Sequence, residues 1–252
     1  MRIIRKTSIK ILGIQKHLSI ISRLYVLMTK RGFFKQKYPE LFFLHSIVKH
    51  GNVCIDIGAN LGYYSTKMSV LVGEQGKVYA VEPVPMFYNI WKKNVKVSGE
   101  SNLVLLPFAL GAEECKIKMG MPEINGLAHH GMTKIANSAN EHYVSYFDVE
   151  MKIPDELFKD LDRVDFIKCD IEGYENIAFS NMKNTLTKFT PIIQSELGGN
   201  ENRKKVIDLM ESLGYKTYVL HFNRLSPATD EIKQNHKSDF YFLQPKHDWL
   251  LK

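Results

Sequence analysis

Between residues 52 and 83 the chain runs through three segments that leave few folds open. "NVCIDIG" is a short apolar run stopped by a glycine. "YYSTKMSVLVG" has helical spacing and closes at Gly73. "GKVYAVEP" is a second apolar run, stopped by Pro83. The same alternation continues. "PMFYNIWKKNVKVS" reads as a helix, "NLVLLPFAL" as a third strand, "VDFIKCDIEG" as a fourth and "PIIQSEL" as a fifth. The helix "NRKKVIDLMESLG" precedes a sixth strand, "YKTYVLHF", and "SDFYFLQP" closes the set. Strands that are apolar on both faces and separated by helices predict a mostly parallel sheet covered on both sides, an α/β class of Rossmann-like type. Residues 110–155 interrupt the alternation and read as an inserted hairpin or lid.

In such a sheet, ligands bind outside the carboxyl ends of the strands, where the strand order reverses. There the chain places acids: Asp56 ends the first strand, Glu82 the second, Asp170 the fourth and Glu196 the fifth. A dinucleotide site needs G-x-G-x-x-G, but the run here is Asp56-x-Gly58-x-Asn60-x-Gly62, and the aspartate would repel a phosphate. A P-loop is excluded by the missing Gly-Lys-Ser/Thr. S-adenosylmethionine suits the charges better. It has no phosphate, and it carries a sulfonium and an ammonium against one carboxylate, while the glycines let the backbone approach. Glu82 is placed to accept from ribose hydroxyls, as the acid after the second strand does in dinucleotide folds.

The segments "DIGANLGYYS", "VYAVEP" and above all "VDFIKCDIEGYE" resemble the FkbM-type methyltransferases, class I enzymes that use S-adenosylmethionine and mostly methylate oxygen. The resemblance spans about residues 40–245, and Lys168, Asp170, Glu172, Gly173 and Glu175 form its most specific run. It implies a seven-stranded sheet with an antiparallel last strand. It also implies a cofactor site made of Asp56, Gly58, Ala59, Asn60, Gly62 and Tyr63 at the methionine end, Glu82 and Pro83 at the ribose, and Phe108, Ala109 and Leu110 at the adenine, with Asp170 facing the cofactor. The acceptor it implies is a hydroxyl of a sugar, glycan, glycolipid or related metabolite. The family's Thr-Leu-Asp step before the fourth strand is replaced by Ile153-Pro154-Asp155, which leaves the roles of Pro154 and Asp155 open.

Methyl transfer to an alcohol needs a base within hydrogen-bond reach. Asp170, Glu172 and Glu196 are the candidates, with Lys168 expected to hold Asp170 ionised. His129 and His130 in "NGLAHHGM" offer an imidazole instead. Asp170 and Glu196 could share a divalent cation, but two acids fall short of a ligand set and no metal is assigned. Tyr174 is expected to form a pocket wall.

Charge is distributed unevenly. The first acidic residue is Glu40, and ten Lys or Arg precede it; subtracting them from the 34 basic residues leaves 24 against 27 acids, so residues 40–252 sum to −3. Nothing in that body marks a nucleic-acid footprint. Residues 1–39 form a basic amphipathic arm, in which Ile4, Ile11, Ile14, Leu18, Ile21, Tyr25 and Met28 recur at helical spacings. The arm is expected to dock on the body, to pair with a second subunit, or to lie on an anionic membrane surface. Lys10, Lys16 and Arg23 interrupt any signal-peptide core, and no run approaches the ~20 apolar residues of a spanning helix. Three cysteines without zinc spacing read as reduced thiols. Together these point to the cytoplasm, with the inner membrane face as a second location. The competing functional reading is a catalytically silent, S-adenosylmethionine-binding or membrane-associated scaffold subunit.

Overall fold

A computed structural model of the chain describes residues 2–98, 101–136 and 142–251. The arm is two helices, α1 (Arg2–Leu12) and α2 (Ile14–Lys30), followed by α3 (Pro39–Ile47). The alternating body then runs β1 (Val53–Ile57), α4 (Tyr63–Val72), β2 (Lys77–Val81), α5 (Pro85–Ser98) and β3 (Leu103–Leu106). The insertion holds β4 (Ala109–Leu110), β5 (Cys115–Ile124), β6 (Leu127–Ala128), β7 (Lys134–Ile135) and β8 (Tyr143–Lys152). The second half is α6 (Pro154–Leu157), β9 (Phe166–Cys169), α7 (Glu175–Ser180), α8 (Lys183–Phe189), β10 (Ile192–Glu196), α9 (Asn200–Ser212), β11 (Lys216–His221), β12 (Arg224–Pro227), α10 (Asp230–Asn235) and β13 (Asp239–Leu243).

The main sheet has the order β12-β11-β13-β10-β9-β1-β2-β3. Strands β10, β9, β1, β2 and β3 are parallel, and β13 enters antiparallel between β10 and β11. The sheet is therefore eight-stranded rather than seven. The eighth strand, β12, is a short hairpin return on β11 that carries too few apolar residues to stand out in the sequence. Successive residues alternate between the two faces, and both faces are buried. Ile167, Phe240 and Phe242 pack with α7, α8 and α9 on one side. Phe166, Tyr241 and Leu243 pack with α3 and α4 on the other. At roughly 1.5–3 kcal/mol for each fully buried large side chain, these two layers supply the main driving force. Cys54 and Cys169 lie in the layers as free, buried thiols.

The third strand is shorter than its apolar run suggests. Pro107 cannot donate to a ladder, so β3 stops at Leu106, and Ala109 and Leu110 cross to pair with Met151 and Lys152 of the insertion. There β5 and β8 form a long antiparallel hairpin, with a register shift at Pro122. The arm also departs from one continuous helix. Gly13, at φ 75, breaks it. The buried side of α2 is Leu18, Ser22 and Val26, whereas Ile11 and Ile21 of the expected stripe are exposed. At the other departure, Asp155 does structural work. Its carboxylate accepts from Asn184 N (2.9 Å), Thr185 N (2.8 Å) and Thr185 Oγ1 (2.7 Å), which caps the start of α8. Pro154 begins α6 and is buried.

Candidate active site

Parallel registry aligns the strand ends. Ile57 stands opposite Val81 and Cys169, and Cys169 opposite Ser195. The residues next along, Gly58, Glu82, Asp170 and Glu196, therefore share one rim. Asp239 joins them, because β13 runs antiparallel and pairs Asp239 with Glu196. The rim is gathered around Lys168, which is 2% exposed and lies 3.3 Å from Asp239 Oδ2. Burial would lower the lysine pKa, but Asp239, Asp170 and Glu196 more than reverse this and hold it charged. Asp170 nonetheless has a raised pKa, since its own desolvation outweighs Lys168. The lysine's direct partner is Asp239, a residue the sequence reading did not single out.

The glycine-rich turn is shaped by packing against the fourth-strand loop. Gly58 has φ 79, and a Cβ there would sit 1.9 Å from the Asp170 carbonyl oxygen. At Gly62, φ 90, a Cβ would be 2.8 Å from the Trp91 ring. Asp56 is buried beneath this turn. Ser65 Oγ donates to it, and Trp91 Nε1 donates to Ser65 Oγ at 2.8 Å. Desolvation raises the Asp56 pKa to about 6. Glu82 accepts from Asn60 N through one oxygen and from Val84 N through the other, both at 2.8 Å. Burial raises its pKa to about 7 despite those donors. Ala59 packs with Ala80 and Trp91, and Tyr63 turns toward the arm, its ring 4.4 Å from that of Tyr25.

Between this rim and the insertion lies a cavity of about 250 Å³. Ile57, Gly58, Val81 and Pro83 form its sheet side, Phe108, Ala109 and Leu110 one edge, and Met119, Lys134, Ile135 and Tyr143 the insertion side. Residues 171–174 close the fourth side, so Glu172 and Tyr174 both line it. Asp56, Ala59, Asn60, Gly62, Tyr63, Glu82, Asp170 and Glu196 are not part of this wall; they stand behind it or beside it. His129 is not in the wall either. His130 meets the Phe87 ring edge-on at 6.0 Å, and desolvation with Arg5 nearby lowers its pKa to about 4.

The loop carrying Glu172 is held by Glu175, which is 1% exposed. Its Oε1 accepts from Ile171 N (3.0 Å) and Gly173 N (3.2 Å), and its Oε2 from Asn202 Nδ2 (2.7 Å). This clamp keeps Glu172 at φ 55, a left-handed conformation that costs a non-glycine residue about 1–3 kcal/mol. Desolvation, reinforced by Asp170, Glu196 and Glu175, raises the Glu172 pKa to about 8. Glu196 rises to about 7 for the same reasons, with Asp170 its strongest charged neighbour. A second cavity of about 280 Å³ lies outside the first, lined by Pro122, Glu123, Ile124, Met132, Lys134, His142 and Glu172. Glu172 and Lys134 line both. Glu175 stood in the run that carries the family resemblance, though its clamp role did not show there; the positions of Lys134 and His142 had no signal in the sequence, because no spacing rule links the insertion to the sheet.

These residues fit S-adenosylmethionine. The rim is rich in carboxylates that would repel a pyrophosphate, and one edge of the cavity is apolar and suits a flat base. Asn60 Oδ1 is buried with no hydrogen-bond partner. Gly58 would border the amino-acid end, Pro83 the ribose, and Phe108 to Leu110 the adenine, with Asn60 and Glu82 behind this wall. Among the described residues no cluster of three or more His, Cys, Asp or Glu is arranged to hold a metal ion.

Comparison with known proteins bears on the fold and the family. A solved FkbM methyltransferase from Methylobacillus flagellatus superposes with a TM-score of 0.50 at 13% identity, over 79% of this chain and 47% of that one, which shows a shared fold. Protein-L-isoaspartate O-methyltransferase of Methanosarcina mazei is 43% identical over 56 residues, 22% of this chain and 23% of that protein. The enzyme of the same name from Methanococcoides burtonii is 34% identical over 59 residues, 23% of this chain and 29% of that protein. The chain thus matches less than a third of the length of these curated relatives. Residues 56–217 match the methyltransferase FkbM domain, the stretch that carries the rim apart from Asp239, the cavity and the Glu172 loop. The chain belongs to the FkbM family of S-adenosylmethionine-dependent methyltransferases.

Proposed function

We propose that the protein transfers a methyl group from S-adenosylmethionine to a hydroxyl oxygen of a sugar, glycan, glycolipid or related metabolite, with Glu172 as general base. The observation that carries this reading is the position of Glu172 and Lys134 in the walls of both cavities. A cofactor in the inner cavity and an acceptor in the outer one would meet across these two side chains. Bound there, S-adenosylmethionine supplies an electrophilic methyl group on a sulfonium. The chain's own residues do the rest. Glu175 fixes the loop, the loop aims Glu172, and the Glu172 carboxylate accepts the proton that the hydroxyl loses as its oxygen attacks. A carboxylate with a pKa near 8 takes that proton more readily than an ordinary one. Glu123, Lys134 and His142 give the outer cavity hydrogen-bonding groups suited to a polyhydroxylated acceptor.

The test is methyl transfer from labelled S-adenosylmethionine to a panel of sugars and glycolipids, with Glu172→Gln as control. A labelled ether on an acceptor hydroxyl, lost in the variant, supports the reading. Label on a nitrogen or sulfur acceptor, or full activity of Glu172→Gln, defeats it. A thermal-shift panel of S-adenosylmethionine, NAD and ATP checks the cofactor separately, since only a ligand of the native state raises the melting temperature.

A further inference from the structure

The arm uses one side of itself to hold the body and leaves the other unoccupied. On the holding side, Leu18 packs with Leu61, Phe87 and Ile90, and Asn94 Nδ2 donates to Ser22 Oγ (2.9 Å) and Leu61 O (2.8 Å). On the outer side of α2, Ile20, Ile21 and Leu24 are 49%, 50% and 52% exposed. Across the break at Gly13, Ile11 is 74% exposed and Leu12 38%. Exposed β-branched and leucine side chains grouped on one helix face mark an interaction site rather than a solvated surface.

Charge identifies the partner. Lys16 and Arg23 flank the exposed isoleucines, and Arg31 follows Leu24 by seven residues, which returns it to the same face. Past the end of α2 a surface groove is lined by Lys30, Arg31, Lys35, His45 and Lys67, with no carboxylate in its walls. The Lys67 pKa is lowered by burial and by Lys35, so the groove favours an anion. A second copy of this face would oppose basic side chains to basic side chains, because residues 1–39 contain no acid. A soluble anion would have no use for the isoleucines. Among the described residues, no helix is long and apolar enough to cross a membrane, which leaves a surface-lying geometry for this one.

We propose that the outer face of the arm docks the protein on an anionic phospholipid bilayer, with Ile11, Ile20, Ile21 and Leu24 between the headgroups and the basic groove on the lipid phosphates. The proposal does not depend on the acceptor of methyl transfer. Basic residues near such a surface are drawn to its phosphates, and the apolar side chains add to this by burial.

The test is co-sedimentation of the full chain with phosphatidylcholine vesicles, with and without phosphatidylglycerol. Two variants accompany it: one combining Ile20→Ser, Ile21→Ser and Leu24→Ser, the other combining Arg31→Glu and Lys35→Glu. All five positions are exposed, so melting temperatures near that of the natural chain are expected. The expected result is binding to the anionic vesicles alone, weakened on the order of tenfold or more in each variant and by added salt. If one variant fails to fold, the other still decides. Equal binding to neutral vesicles, no vesicle binding, or binding that neither variant changes overturns the proposal. So does a dimer, seen by analytical ultracentrifugation, that the serine variant dissociates without any vesicle binding by the natural chain.

Discussion

Gly58 approaches the carbonyl oxygen of Asp170 so closely that a Cβ on it would stand 1.9 Å away. The first-strand turn and the fourth-strand loop are thus closely fitted to each other. Gly58→Ala must displace one of them, and it also places a side chain at φ 79. The expected loss is at least about 2 kcal/mol of stability, measured by denaturant unfolding, together with weaker S-adenosylmethionine binding by calorimetry.

Glu175 is expected to act on position rather than on chemistry. Glu175→Ala strands Ile171 N and Gly173 N without their acceptor and leaves Asn202 Nδ2 bonded to Gly198 O alone, a cost of about 1–3 kcal/mol. A loosened loop should lower kcat, and the rising limb of the pH profile should persist but move to lower pH, since the base is intact and has lost one acidic neighbour. Glu175→Gln, which keeps one carbonyl acceptor, should recover part of the loss.

Glu172→Gln should lower kcat by about 10²–10⁴-fold, with the Kd for S-adenosylmethionine little changed. In the natural protein the rate should climb with pH through about 8, the pKa to which burial and neighbouring acids raise this carboxyl. That limb should vanish in the variant. A pH–rate series on both proteins is the measurement.

The raised carboxyls also set a sign for stability. Glu82 and Glu196, near 7, and Glu172, near 8, all lie above their ordinary value of 4.5. The folded state therefore holds more protons than the unfolded state, and their contribution to stability is lost as pH rises through those values. Below pH 6.5, His130 works the other way, since its lowered pKa adds stability as pH rises. Between 6.5 and 8 the acids act alone, so the melting temperature of the ligand-free protein should fall across that window. A cationic ligand favours ionised carboxylates, so its affinity should rise over the same window with release of protons. Calorimetry in two buffers of different ionisation enthalpy measures that release. An anionic ligand would take protons up instead.

Asp155→Ala removes the cap on α8 and should cost about 1 kcal/mol without altering methyl transfer. A thermal melt and an activity assay on the same sample separate this residue from the catalytic loop.

The alternation of apolar strands and amphipathic helices was enough to read the layered sheet, the acids at the strand ends and the glycines of the first turn, because these are local patterns. Burial on both faces makes a strand a continuous apolar run, and a parallel sheet puts every strand's last residue at one rim. Pairing partners were not readable in the same way. Asp239 opens its strand in the sequence, yet it stands among residues that close theirs, because β13 runs against its neighbours and carries its first residue to their ends. The same holds for Lys134 and Glu172, which meet only because the insertion folds back over the sheet. Local composition determines which segments bury themselves and where charge accumulates. Which charged groups become neighbours is a matter of strand direction and long-range packing, and only the tertiary structure decided that.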